Sequence, residues 1–171
     1  MAMTSEFSRV VRLEQLGPQP WRQRIEATPN ERENLCSRFE LLSLDRLTAM
    51  VELYRESSAV IRLEASFEAE FVQSCAVTAE PVAGAISDRF SLLYGPPEEE
   101  PQRVLSDVDA PAFEALAGDT IDIGEAVAQE LSLALPLFPR HADAGMEIEF
   151  AETSIAGPFA SLARLRLKSE I

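Results

Sequence analysis

Side chains able to carry out covalent or acid–base chemistry are few in this chain. It has one histidine, His141, and two cysteines, Cys36 and Cys75. Every Ser–His or Cys–His scheme must therefore pass through one imidazole. His141, Asp143, Glu147 and Glu149 are the residue types of a metal site, but their spacing is not that of ligands presented from one helix. Carboxylates on a solvated loop need convergence before they bind an ion. Cys75 lies in QSCAVTAEPV beside Thr78 and Glu80. A reactive thiolate needs nearby cations or a helix N-terminus, and the sequence offers neither, so a structural role at a turn is expected. Cys36 shares an apolar stripe with Leu35 and Phe39 and reads as a small buried hydrophobe. No G-x-G-x-x-G, P-loop or G-x-S-x-G pattern is present. No catalytic set, metal or cofactor is expected.

Charge is the second source of chemistry. The net charge is −14, and it is unevenly spread. From Pro96 to Glu130 ten acids, among them Glu98, Glu99, Glu100, Asp122 and Glu125, face one arginine, Arg103. From Phe7 to Arg24 the balance reverses, with Arg9, Arg12, Arg22 and Arg24 against Glu14. The tail adds Arg164, Arg166 and Lys168 after Phe159. The bulk field repels nucleic acid and attracts basic proteins. A basic face arises only if the two termini meet. Trp21 among those arginines is the stacking aromatic that RNA recognition pairs with cations; otherwise it packs the arm on the sheet. The candidate RNA contacts are Arg9, Arg12, Trp21, Arg22, Arg24, Arg164, Arg166 and Lys168. The candidate partner-binding residues are Glu98, Glu99, Glu100, Asp122, Glu125 and Phe159.

The elements that position these groups follow from periodicity. Residues 7–16 read as a strand or arm, broken by Gly17, Pro18 and Pro20. Residues 21–27 form a short strand. Thr28-Pro29-Asn30-Glu31 starts a helix with an N-cap, a proline at the first position and a capping-box glutamate, ending near Phe39. Leu47, Ala49, Val51 and Leu53 mark a strand closing near Arg55. Ile61, Leu63, Ala65, Phe67, Ala69 and Phe71 alternate with polar residues, the pattern of a strand with one dry and one wet face. Its short turn at Glu56-Ser57-Ser58 makes the pairing antiparallel. Ile86–Tyr94 supplies another strand. Residues 95–120 form an acidic, proline-punctuated insertion with no core-facing period before Phe113 and Leu116. Asp122 caps a helix whose stripe is Ile123, Val127, Leu131 and Leu135, with Glu125 at capping-box spacing and Pro136 as its stop. MEIEF, residues 146–150, reads as a closing strand, and residues 158–168 as a short helix or docking arm.

The expected fold is α+β: a single domain over residues 1–171, built on a curved, mainly antiparallel sheet packed by two or three helices. The sheet either stays open or begins to close as a barrel. An N-terminal arm or edge strand (1–20), a flexible acidic insertion (95–120) and a C-terminal arm (153–171) complete it. Hydrophobic content of 46% supports a core. No apolar run reaches the roughly 20 residues of a membrane helix, and the N-terminus lacks a secretory pattern. Two unpatterned cysteines fit a reducing cytoplasm.

Four segments together resemble the YceD family, the bacterial large ribosomal RNA subunit accumulation proteins. They are FVQSCAVTAEPV, the acidic insertion, GDTIDIGEAVAQELSLALPLFPRH and GPFASLARLRLK. The start ATPNERENLCSRFEL resembles its alphaproteobacterial branch. The resemblance implies a cytoplasmic factor needed for build-up of large-subunit ribosomal RNA, without established enzymatic activity. Relatives place C-x-x-C where this chain has Cys75 and Thr78, and a further cysteine at the position of Gly145. Only Cys75 and His141 remain here, so the resemblance carries no metal over to this chain. The function expected is a non-catalytic binding factor in ribosome assembly that touches large-subunit ribosomal RNA. The alternative is an acidic adaptor or chaperone for a basic ribosomal protein, working through residues 96–130. A metal-dependent hydrolase is the third class. Oligomeric state is not legible.

Overall fold

The computed structural model describes residues 6–97, 111–116 and 118–144. The chain divides after His141, and the architecture belongs to the unit before that point. Its elements are β1 (Val10–Arg12), a 3-10 turn (Leu13–Gln15), β2 (Trp21–Glu26), α1 (Pro29–Phe39), β3 (Ser43–Arg55), β4 (Ile61–Ser74), β5 (Pro81–Gly95), β6 (Ala112–Ala115), β7 (Thr120–Asp122) and α2 (Ile123–Ala134). The fold is α+β. Five strands form one sheet in the order β2-β3-β4-β5-β6, and β1 pairs with β7 in a separate ribbon. All pairings are antiparallel except β5 with β6. Among the described residues the sheet keeps two open edges and does not close into a barrel.

Alternation along β4 sets the two faces. Ile61, Leu63, Ala65, Phe67, Ala69 and Phe71 are buried, while Glu64, Glu68 and Glu70 are exposed. Register carries the dry face across the sheet: Ile25 opposes Ala49, and Ala49 opposes Phe67. Phe67 tilts on Phe90 with centroids 6.2 Å apart. Both helices cover this face, α1 on β3 and α2 on β1, β4 and β5. Pro81 opens β5 at its first position, where no ladder N–H is needed. β5 thus starts five residues earlier than the Ile86 of the sequence expectation.

Each helix starts as its sequence dictates. The Glu31 amide donates to Thr28 Oγ1 at 3.4 Å, and the Thr28 amide donates back to Glu31 Oε2 at 2.8 Å. Asp122 Oδ1 accepts from the amides of Gly124 at 3.1 Å and Glu125 at 3.2 Å. The carboxylate of Glu125 goes elsewhere, to Arg38 at the end of α1, with bonds of 2.8 and 3.0 Å. Within the stretch 95–120 the structure forms β6, which contains Phe113, and the start of β7. Strand MEIEF, the C-terminal arm and residues 98–110 lie outside the described residues.

The N-terminal segment is clasped onto this frame. Arg9 donates to both oxygens of Glu31 at 2.6 and 3.0 Å and to the Glu26 carbonyl at 3.0 Å. Its guanidinium also sits 4.8 Å over the Phe7 ring, which is fully buried. Arg9 first, then Thr28, holds the Glu31 carboxyl down to about 2. A carboxyl depressed in the folded state stabilises above its unfolded value, and that stabilisation is lost as pH falls through the folded value. The clasp therefore weakens from about pH 4.5 toward pH 2. Urea midpoints at pH 6 and pH 3 check this: Glu31→Gln should lose less stability over that interval than the wild type. Equal losses would remove Glu31 from the acid response.

Candidate functional site

The sheet's wet face is the broadest surface the strands build, and register places its side chains in rows. One row runs Arg22, Glu52, Glu64, Ser91; the next Arg24, Met50, Ser66, Arg89; the third Glu26, Thr48, Glu68, Ser87. A shallow trough of about 610 Å³ crosses the middle row. Around it most arginines are engaged. Arg22 pairs with Glu52 at 3.0 Å, Arg46 with Glu68 at 3.3 Å and Glu70 at 2.8 Å, and Arg62 with Glu56 at 2.6 Å. The Tyr54 hydroxyl donates to Glu64 at 2.6 Å; burial first, then this bond, pushes the phenol up to about 12. Asp88, beside Arg89 in sequence, opposes Phe67 and so shares the helix-covered face. There it acts with Glu114 on Glu130, whose carboxyl is raised chiefly by burial.

The residues singled out by sequence disperse over the fold. Arg9 is committed to the clasp. Arg12 is exposed and reaches Glu14 at 3.5 Å. Trp21 is half-buried on edge strand β2 and packs against the core. Arg22 and Arg24 stand on the wet face. Asp122 serves the fold: besides its helix cap it accepts from the Arg9 amide at 2.7 Å and the Ser8 hydroxyl at 2.5 Å. Glu125 ties α2 to α1. Glu98, Glu99, Glu100, Phe159, Arg164, Arg166 and Lys168 lie outside the described residues, as do Glu147 and Glu149.

Cys75 is buried at the turn after β4, as its sequence position suggested. Its sulfur accepts from the amides of Thr78 at 3.4 Å, His141 at 3.4 Å and Val77 at 3.5 Å. The Thr78 side chain first, with these amides, lowers the thiol to about 6. Sequence set Thr78 beside Cys75 but could not supply the rest, because the other donors are backbone amides and one is 66 positions away. Burial instead pushes the Cys36 thiol up. Among the described residues no three His, Cys, Asp or Glu side chains gather as a metal site.

The sequence model of one family, described as large ribosomal RNA subunit accumulation protein YceD, matches residues 63–156. The chain belongs to the YceD family. The match starts inside β4 and takes in β5, β6, β7 and α2, so it contains Arg89, Cys75, Asp122 and His141 but not Arg9 or Arg24. The family resemblance is thereby borne out: FVQSCAVTAEPV, the acidic insertion and GDTIDIGEAVAQELSLALPLFPRH lie inside the match, GPFASLARLRLK and ATPNERENLCSRFEL outside it. The YceD name ties the family to accumulation of the large ribosomal RNA subunit, and it names no reaction. No curated protein matches the chain, and no solved structure does. Among the described residues no helix is long and apolar enough to cross a membrane.

Proposed function

We propose that this YceD protein is a non-catalytic binding factor that contacts large-subunit ribosomal RNA through the wet face of its sheet. One observation carries the reading. A chain of net charge −14 places Arg22, Arg24, Arg46, Arg62 and Arg89 on a single open face. Every cation of the sequence except Lys168 is an arginine, the side chain whose planar fork suits bidentate phosphate contact. Acids on the same face pair with most of these guanidiniums, which limits non-specific attraction and leaves a local rather than a global affinity for phosphate.

Filter binding of large-subunit ribosomal RNA across a salt series tests it. The association constant should fall linearly with salt on logarithmic axes as counterions are released. A flat response, or no retention at low salt, overturns the proposal. The adaptor alternative works through residues 96–130, of which 98–110, with Glu98–Glu100, lie outside the described residues, while Asp122 and Glu125 are committed to the α2 cap and the bridge to Arg38.

A further inference from the structure

Resting on that reading, we infer that the row Arg24–Met50–Ser66–Arg89 is a seat for a short single-stranded RNA segment laid across the strands. Its backbone phosphates sit on the two arginines and a base covers Met50. Three observations converge on this row. First, among the described residues Arg24 and Arg89 have no carboxylate partner, whereas Arg22, Arg46 and Arg62 on the same face all do. Both are exposed, and the row holding them contains no acid. Two guanidiniums without an ion-pair partner, in a chain this acidic, leave their donors available to an incoming anion.

Second, the spacing suits a chain of phosphates and not one compact anion. Arg24 and Arg89 stand on strands three places apart, about 14 Å between backbones at the usual strand separation. An unstacked strand spaces its phosphates more widely than the roughly 3.4 Å of a duplex strand, so fewer than about four nucleotides span this gap. Between the arginines Met50 is 45% exposed, a soft apolar surface on which a base ring can lie. A base is free to lie there only in a single strand, because a duplex keeps its bases stacked inside.

Third, one polar group nearby lacks a partner. The hydroxyl of Ser91, two residues beyond Arg89 on the same face, is buried without a hydrogen-bond partner among the described residues. It lines the extension of the trough that Met50, Ser66 and Arg89 also line. A buried hydroxyl left in this way is uncommon, and a ribose or phosphate oxygen entering the trough would satisfy it. Acids border the trough too: Glu68 is paired with Arg46 at 3.3 Å, Glu52 with Arg22 at 3.0 Å, Glu64 accepts from the Tyr54 hydroxyl at 2.6 Å, and Asp88 accepts from the Arg89 amide at 2.7 Å.

Fluorescence anisotropy with a short fluorescein-labelled RNA strand, alone and annealed to its complement, tests the inference. The wild type should prefer the single strand. Arg24→Ala and Arg89→Ala should each weaken binding about tenfold. Each should also make the logarithmic salt slope shallower by about 0.7 between about 50 and 200 mM salt. Arg24→Lys and Arg89→Lys should keep most of the slope, and Arg12→Ala, off this face, should stay within about twofold. Thermal midpoints should not move, since neither arginine holds an ion pair. Unchanged binding by both alanine variants overturns the inference, as does preference for the duplex. Tighter binding of an oligoglutamate probe with the same arginine dependence would assign the row to an acidic protein instead. If those variants still retain full-length ribosomal RNA like the wild type, the seat is wrong and the proposed function stands. A wild type that holds neither RNA overturns both.

Discussion

Gly124→Ala should destabilise the protein by about 2–4 kcal/mol, although the same change in an ordinary helix is stabilising by about 1 kcal/mol. The sign is decided by what lies over the start of α2. A Cβ at this position would stand 2.5 Å from the Phe7 carbonyl oxygen and 3.0 Å from the Arg9 amide nitrogen. These are backbone atoms, so no rotamer change relieves the contact. The arm must lift, and lifting breaks the bond from the Ile123 amide to the Arg9 carbonyl at 3.1 Å and from the Arg9 amide to Asp122 at 2.7 Å. It also exposes Phe7, which alone is worth about 3–5 kcal/mol when truncated in a core. Urea unfolding followed by Trp21 fluorescence measures the loss. Phe7→Ala should cost a similar amount, and the double variant should cost less than the two together, because both act through one clasp. A net gain in stability for Gly124→Ala would mean the arm does not press on the helix.

What was legible in the sequence follows the range of the interactions involved. The Thr28 box and the Asp122 cap are made within three residues, and the dry face of β4 is written in its own alternation. Those elements stand where the pattern puts them. β6 and β7 were not legible, because AFEA and TID have no period of their own. They are strands only because Leu93 opposes Phe113 and Val11 opposes Ile121. The end of α1 is similar: Glu40 takes a left-handed conformation, with φ of 55°, where a reader looks for glycine. At the candidate site, Arg24 stood out as part of a basic stretch. Arg89 did not, because Asp88-Arg89 reads as a neutral pair along the chain. Sheet register separates them, turning Asp88 toward the helices and Arg89 toward Ser66. Met50 has no neighbour in sequence to mark it; its place between two arginines exists only across strands.

The same one-residue step from face to face means that stability and binding should separate between neighbouring positions of adjoining strands β3 and β4. Phe67→Ala should cost about 3–5 kcal/mol, because this ring is 2% exposed at the centre of the sheet and tilts on Phe90. Ala49 on the adjoining strand is too small to refill the space, and the strands on either side fix the backbone, so a cavity remains. Next to this, Met50→Ala should change stability by no more than about 0.5 kcal/mol, as is usual for an exposed side chain away from caps and networks. Yet Met50 is the residue on which the RNA base is placed, and its loss should lower affinity. Urea midpoints paired with anisotropy read both quantities on the same samples. The expected result is a crossed pattern, with Phe67→Ala less stable but, where still folded, able to bind, and Met50→Ala stable but weaker in binding. A cost below about 1.5 kcal/mol for Phe67→Ala would mean that the dry face is not the core. Equal binding by wild type and Met50→Ala would leave the arginines as a purely electrostatic seat, with no base resting between them.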